Sequence, residues 1–228
     1  FRNRLVVCCV AILLTGCKGE VPVGPGTTFD GPSASAIMLP PPTAAQQVNQ
    51  GSKPWCVPAA GLTLYRMVTG MDYSLTQLVK ELKTTNNGTY ISELVWWFNN
   101  HSMAASSTSI PTSGAVGMIT DQIKRGYYIL PKVNESAVPN SPHVFIVYGI
   151  DQGRILVSDS NTRLGMNRIA IDANIFRDRW LINIGTNDRP VAALTLVDSR
   201  PVKKSAPQKS GTAGASKSPY EEMLLRYH

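Results

Sequence analysis

Residues 50–60 read Gln50-Gly51-Ser52-Lys53-Pro54-Trp55-Cys56-Val57-Pro58-Ala59-Ala60. Beyond them, apolar residues recur at helical spacing through Val57, Ala60, Leu64, Met67 and Val68, and Gly70 follows. This pattern predicts a helix over residues 56–69 that stops at the glycine. Pro54, just ahead of Cys56, suits the entry to a first turn. Cys56 therefore opens the helix, where backbone N–H groups and partial positive charge gather. Both favour thiolate over thiol, and the thiolate is the nucleophilic form. Gln50, six residues upstream, brings an amide donor able to join the Cys56 N–H in stabilising an oxyanion.

Outward from this stretch, the front of the chain reads helical and the back reads as strands. Ser74-Leu75-Thr76-Gln77 is a capping box, opening a second helix to about residue 82. A third helix is predicted over residues 90–100, with Ile91, Leu94, Val95 and Phe98 on one side, and a fourth over residues 114–125, ended by Gly126. Short runs rich in β-branched and aromatic residues at 127–133, 144–150, 154–158, 181–184 and 192–197 read as strands, with a short helix near 172–179. Helices followed by antiparallel strands make an α+β domain, expected over residues 47–200. Pro, Gly, Ser, Thr and Ala dominate residues 17–46, which read as a disordered tether; residues 201–228 read as a disordered tail.

The first sixteen residues read as an export signal. Arg2 and Arg4 precede a ten-residue apolar core over residues 5–14, too short to span a bilayer. Leu14-Thr15-Gly16-Cys17 then matches the lipobox of bacterial lipoproteins, which makes Cys17 the expected lipidation site and residues 1–16 the expected signal peptide. An acylated Cys17 would hold the protein to a membrane of the cell envelope, the outer membrane in a Gram-negative cell. Of the four cysteines, Cys8 and Cys9 would leave with the signal and Cys17 would carry lipid, so Cys56 is left alone in the folded part. In an oxidising compartment cysteines normally pair. On count alone, an unpaired Cys56 is either a reactive thiol or a small buried hydrophobe.

A nucleophilic thiol needs a base, and the chain has three histidines. His228 ends the chain. His101 follows Asn99-Asn100 at the end of a predicted helix and reads as a C-terminal cation or a solvated residue. His143 follows Ser141-Pro142 and heads the run Val144-Phe145-Ile146-Val147-Tyr148. Sixteen residues later Asp159 follows Ile155-Leu156-Val157-Ser158. With a turn at Asp151-Gln152-Gly153, a hairpin would bring His143 and Asp159 together, and the carboxylate would set the imidazole's tautomer and orientation. Taken alone, His143 reads equally well as a structural residue.

Together, residues 50–60, the run 143–151 and Asp159 resemble the bacteriocin-processing cysteine peptidases, cysteine peptidase family 39 of the papain-like clan. That family has a glutamine six residues before the cysteine, small residues after it, and a histidine-headed hairpin that ends in aspartate about sixteen residues on. The resemblance covers about residues 48–162 and implies a papain-like fold with Cys56, His143, Asp159 and Gln50 in the functional positions. Trp55 stands where an acidic residue is usual, Val57 where glycine is, and Ser160 where proline is common; these departures bear on substrate more than on chemistry. Members that trim double-glycine leaders are usually fused to a transporter. No apolar run of 18 residues and no G-x-x-x-x-G-K-[ST] phosphate loop occurs here, so a leader-exporting role is not expected.

The remaining features narrow the class. The net charge of +7 and pI near 9.3 sit largely in the tails, at Arg2, Arg4, Lys203, Lys204, Lys209 and Lys217, so no nucleic-acid partner is expected. No H-E-x-x-H, paired-cysteine or G-x-S-x-G pattern occurs, so no metal, cofactor or serine triad is expected. Trp55, Trp96 and Trp97 are cleft candidates, although a tryptophan pair on a helix more often packs into the core. The expectation is a cell-envelope cysteine hydrolase acting on a peptide or protein through a Cys56 thioester. Water as acceptor makes a peptidase, and an amine makes a transglutaminase-like acyltransferase. The alternative is a lipoprotein binding module on the same scaffold.

Overall fold

Cys56 begins a helix, and the rest of the fold is arranged around that helix and one sheet. The computed structural model describes residues 31–111, 114–134, 142–161, 169–180, 182–184 and 190–202. The expected signal peptide, Cys17 and residues 203–228 of the expected tail lie outside them. In chain order the elements are β1 (Ile37–Met38), α1 (Cys56–Thr69), α2 (Leu75–Glu81), α3 (Ile91–Asn100), β2 (Ala105–Pro111), α4 (Ala115–Lys124) and β3 (Tyr127–Asn134). There follow β4 (Pro142–Val144), β5 (Ile146–Asp151), β6 (Arg154–Ser158), β7 (Ile169–Asp172), α5 (Ala173–Arg179), β8 (Ile182–Ile184) and β9 (Pro190–Asp198).

The helix boundaries follow from local chemistry. Gly70 caps α1 in the left-handed conformation at φ 70°, its N–H donating to the Arg66 carbonyl. Ser74 caps α2, its hydroxyl accepting from the Gln77 N–H. Asp172 caps α5 by accepting from the Asn174 and Ile175 N–H groups.

The strands pair antiparallel in the order β2-β9-β3-β5-β6-β7, with β1 on β5, β4 on β3 and β8 on β9. Both faces of the central strands are buried, and alternate residues serve opposite layers. Tyr128, Leu130, Tyr148 and Leu156 join α1, α2 and α3 in one apolar cluster. Ile129, Val147, Ile155 and Val157 join α4 and α5 in the other. The sheet thus lies between two helical layers, a mixed helix and antiparallel-sheet architecture.

Four features differ from the expectations. β7 (Ile169–Asp172) is a strand ahead of the helix expected near 172–179, where none was foreseen. The strand expected at 144–150 is broken at Phe145: β4 pairs with β3 and β5 with β6. A strand not foreseen, β2, runs through the polar sequence Ala105-Ser106-Ser107-Thr108-Ser109-Ile110-Pro111 and pairs along its length with β9. The tether reading does not hold for residues 31–46. β1 pairs Ile37 with Ile150 and Met38 with Gly149, the Leu39 N–H donates to the Tyr148 carbonyl at 2.8 Å, and the Tyr128 hydroxyl donates to the Pro40 carbonyl at 2.9 Å. Ser33 donates from both its N–H and its hydroxyl to Asp151. Proline-rich composition says little about regular structure in such a segment, because strand edges and acceptors elsewhere in the fold hold it in place.

Candidate active site

The loop ahead of α1 is fastened to the helix it introduces. The Val48 N–H donates to Thr63 Oγ1 at 3.1 Å, and that hydroxyl donates back to the Ala59 carbonyl one turn earlier at 2.9 Å. The helical ladder opens with the Ala59 N–H donating to the Trp55 carbonyl at 2.8 Å. Pro58, which has no N–H, sits in the first turn, where none is needed. Cys56 is buried at this positive end of the helix and is not in a disulfide. Trp55 is half-buried beside it.

His143 lies in β4, opposite Val133 of β3, and α1 packs against β4. Cys56 and Val144 share one apolar cluster. The His143 Nε2–Asp159 Oδ1 distance is 2.8 Å, with both residues buried. The Asn161 N–H also donates to Asp159 Oδ1, at 2.9 Å, so the carboxylate is held from two sides. A carboxylate only accepts, so Nε2 carries the proton in this bond, and Nδ1 is the ring nitrogen at which a proton can be gained or lost. The hairpin turn falls at Asp151-Gln152-Gly153, with Gln152 and Gly153 at positive φ.

Gln50 meets the same segment. Its N–H donates to the Ser160 carbonyl at 3.0 Å, and the Ser160 hydroxyl donates to Gln50 Oε1 at 2.7 Å. Gln50 Nε2 faces the Lys53 carbonyl at 3.5 Å. Gln47 Nε2 donates to Ser158 Oγ at 2.8 Å. The loop that leads to Cys56 is therefore laced to residues 158–160, and Asp159 in that segment reaches His143. The Ser160 contact with a glutamine 110 residues away leaves no sequence pattern.

The other candidates lie apart from these contacts. His101 caps α3 and stacks on Trp97 with ring centroids 4.0 Å apart, its Nδ1 2.8 Å from the Trp97 carbonyl. Trp97 is fully buried and Trp96 packs against the same cluster. His228 lies outside the described residues. Among the described residues no group of three or more His, Cys, Asp or Glu is arranged to hold a metal ion, and no helix is long and apolar enough to cross a membrane.

No protein-family model matches the chain. No curated protein matches it either. Among solved structures, the chain is similar to the peptidase domain of Streptococcus ComA, a bi-functional ABC transporter involved in a quorum-sensing pathway. The TM-score is 0.50 and the identity 15%, covering 66% of this chain and 96% of that one. At that identity the likeness is one of fold. A double-glycine-motif protease from an AMS/PCAT transporter, in complex with the leader peptide, aligns at a TM-score of 0.48 and 12% identity, over 71% of this chain and 94% of that one.

Proposed function

We propose that the chain is a papain-like cysteine peptidase whose nucleophile is Cys56. The observation that carries this reading is the buried His143–Asp159 hydrogen bond on a strand that packs against the helix opened by Cys56. The fold shared with a peptidase domain supports it.

In the proposed reaction His143 Nδ1 takes the Cys56 proton, and the thiolate attacks an amide carbonyl. Gln50 Nε2 and the Cys56 N–H hold the oxyanion that forms. Asp159 keeps Nε2 protonated and stabilises the imidazolium. The imidazolium then passes its proton to the departing amine, leaving a thioester on Cys56 that water resolves to the acid. The substrate is a peptide or protein. We also propose that the protein is exported and anchored by lipid at Cys17, a reading supported by the lipobox at residues 14–17.

The test is the pH profile of Cys56 alkylation by iodoacetamide. A thiolate paired with imidazolium at a helix N-terminus ionises well below the roughly 8.5 of a free cysteine, so alkylation stays fast at about pH 6. His143→Ala should slow the reaction steeply there and change it less at about pH 9. Slow alkylation of wild type at both values, indifferent to His143, would replace the peptidase with the binding-module reading.

A further inference from the structure

We infer that Ser160 is a positioning residue whose hydroxyl pins the Gln50 amide in place, while the Lys53 carbonyl sets the orientation that makes it an oxyanion donor; this rests on the peptidase reading. A glutamine amide can turn over with almost no change of shape, and turning exchanges donor for acceptor. For a group beside a forming oxyanion the two orientations have opposite consequences. Nε2–H stabilises the developing charge, whereas Oε1 repels it.

Two contacts hold the amide, and the second decides between the orientations. The Ser160 hydroxyl meets Oε1 at 2.7 Å, and the Lys53 carbonyl, which can only accept, faces Nε2 at 3.5 Å. Turning the amide would set Oε1 against the Lys53 carbonyl, two acceptors facing each other. The Lys53 contact is at the long limit of a hydrogen bond, so Ser160 is the firmer anchor; its hydroxyl could donate or accept, and the Lys53 carbonyl, which only accepts, selects which amide atom faces it. Ser160 and Gln50 are 5% and 4% exposed, so water is a poor substitute for the hydroxyl.

The backbone sets the reach of that hydroxyl. The Gln50 N–H already donates to the Ser160 carbonyl at 3.0 Å, which brings the two side chains to a fixed separation. Ser160 directly follows Asp159, so two consecutive residues would hold the two halves of the site: Asp159 the base and Ser160 the oxyanion donor. A proline at this position would keep the carbonyl and lose the hydroxyl, so the device belongs to this chain's own sequence.

The experiment compares two reactions of Cys56 on the full chain. With p-nitrophenyl acetate the thiolate forms a bond to the acyl carbon, an oxyanion develops, and the carbon–oxygen bond breaks. p-Nitrophenolate then leaves with the electron pair and is read as a burst. Iodoacetamide instead loses iodide in a direct displacement that forms no oxyanion. Ser160→Ala should slow acylation about tenfold, the loss of one buried hydrogen bond, and leave alkylation unchanged. Ser160→Thr, which keeps the hydroxyl, should restore acylation. Gln50→Ala should slow acylation by about 10²–10³, and adding Ser160→Ala to it should change nothing more.

The inference is overturned if Ser160→Ala slows neither reaction, slows both alike as a structural defect would, or adds its effect to that of Gln50→Ala. A wild-type Cys56 that reacts with neither reagent faster than an unfolded thiol overturns the peptidase reading, and this inference with it.

Discussion

Glu81 shows at the scale of one residue how the helical layer under the site is held. Its carboxylate accepts from the Tyr73 hydroxyl at 2.6 Å, Trp97 Nε1 at 2.8 Å and Gln77 Nε2 at 3.0 Å. Burial pushes its pKa up, but the hydrogen bonds from Tyr73, Trp97 and Gln77, with the charge of His101 nearby, outweigh burial and hold it below the usual carboxylate value. Burial and the Glu81 bond push Tyr73 up to about 12, so Tyr73 remains a donor across the working range. Tyr65 of α1 packs edge-on to Trp97 at 5.1 Å, so this cluster ties α1, and thereby Cys56, to α2 and α3. Because the folded pKa of Glu81 is depressed, its contribution to stability is present above the unfolded value of about 4.3 and fades as pH falls through the folded value. Glu81→Ala leaves the Trp97 N–H and the Tyr73 hydroxyl without their acceptor and should destabilise by about 1–3 kcal/mol at neutral pH. Denaturant unfolding of wild type and Glu81→Gln at a series of pH values should show their difference shrinking as pH drops below about 4.

Among the elements, β1 depends on one missing side chain. A Cβ on Gly149 would lie 2.6 Å from Met38 Cβ, 3.0 Å from the Ile37 carbonyl oxygen and 3.1 Å from Met38 Cα. Two of those atoms are backbone and cannot swing aside, so β1 docks on β5 because residue 149 is glycine. Register within β5 also shifts between Val147 and Gly149, where the strand is irregular against β6. Gly149→Ala should push residues 37–39 off the sheet at a cost of about 1–3 kcal/mol, the usual range for overpacking. Hydrogen exchange at the Leu39 amide, which donates to the Tyr148 carbonyl, should accelerate in that variant while the Leu156 amide in β6 stays protected. Equal acceleration at both amides would mean that β1 is not a separate unit.

On the scale of the molecule, a helical layer carrying Cys56 faces a sheet carrying His143, Asp159 follows the last residue of β6, and the loop at residues 47–53 closes onto that same end. The described residues begin at Gly31, and Ser33 holds that end to Asp151 of β5. A lipid at Cys17 would stand 16 residues before Ser33 in the sequence (33 − 17). Cys17→Ser should abolish membrane retention or leave the signal uncut, as read by fractionation and intact mass. Normal processing with unchanged retention would exclude the anchor. If the peptidase reading is right, the released protein should keep its Cys56 alkylation profile, since none of the described site contacts reaches beyond residue 47 toward the N-terminus.

Features that rest on neighbours along the chain are legible in the sequence. Apolar spacing and Gly70 set the ends of α1 and put Cys56 in its first turn. Ser74 opened α2, and the turn at residues 151–153 supplied the hairpin that leads to Asp159. These follow from bonds and side-chain spacing within a few residues, which a linear reading can weigh. Tertiary structure alone decided β1, β2 and the Ser160–Gln50 contact. β2 is polar and forms because β9 offers it a ladder of backbone partners, and β1 is two residues long and forms because Gly149 leaves room for it. The Ser160 hydroxyl meets Gln50 across 110 residues of chain. Hydrogen bonds of this kind depend on which distant group arrives at a given place, and residue spacing along one strand or helix carries no record of that.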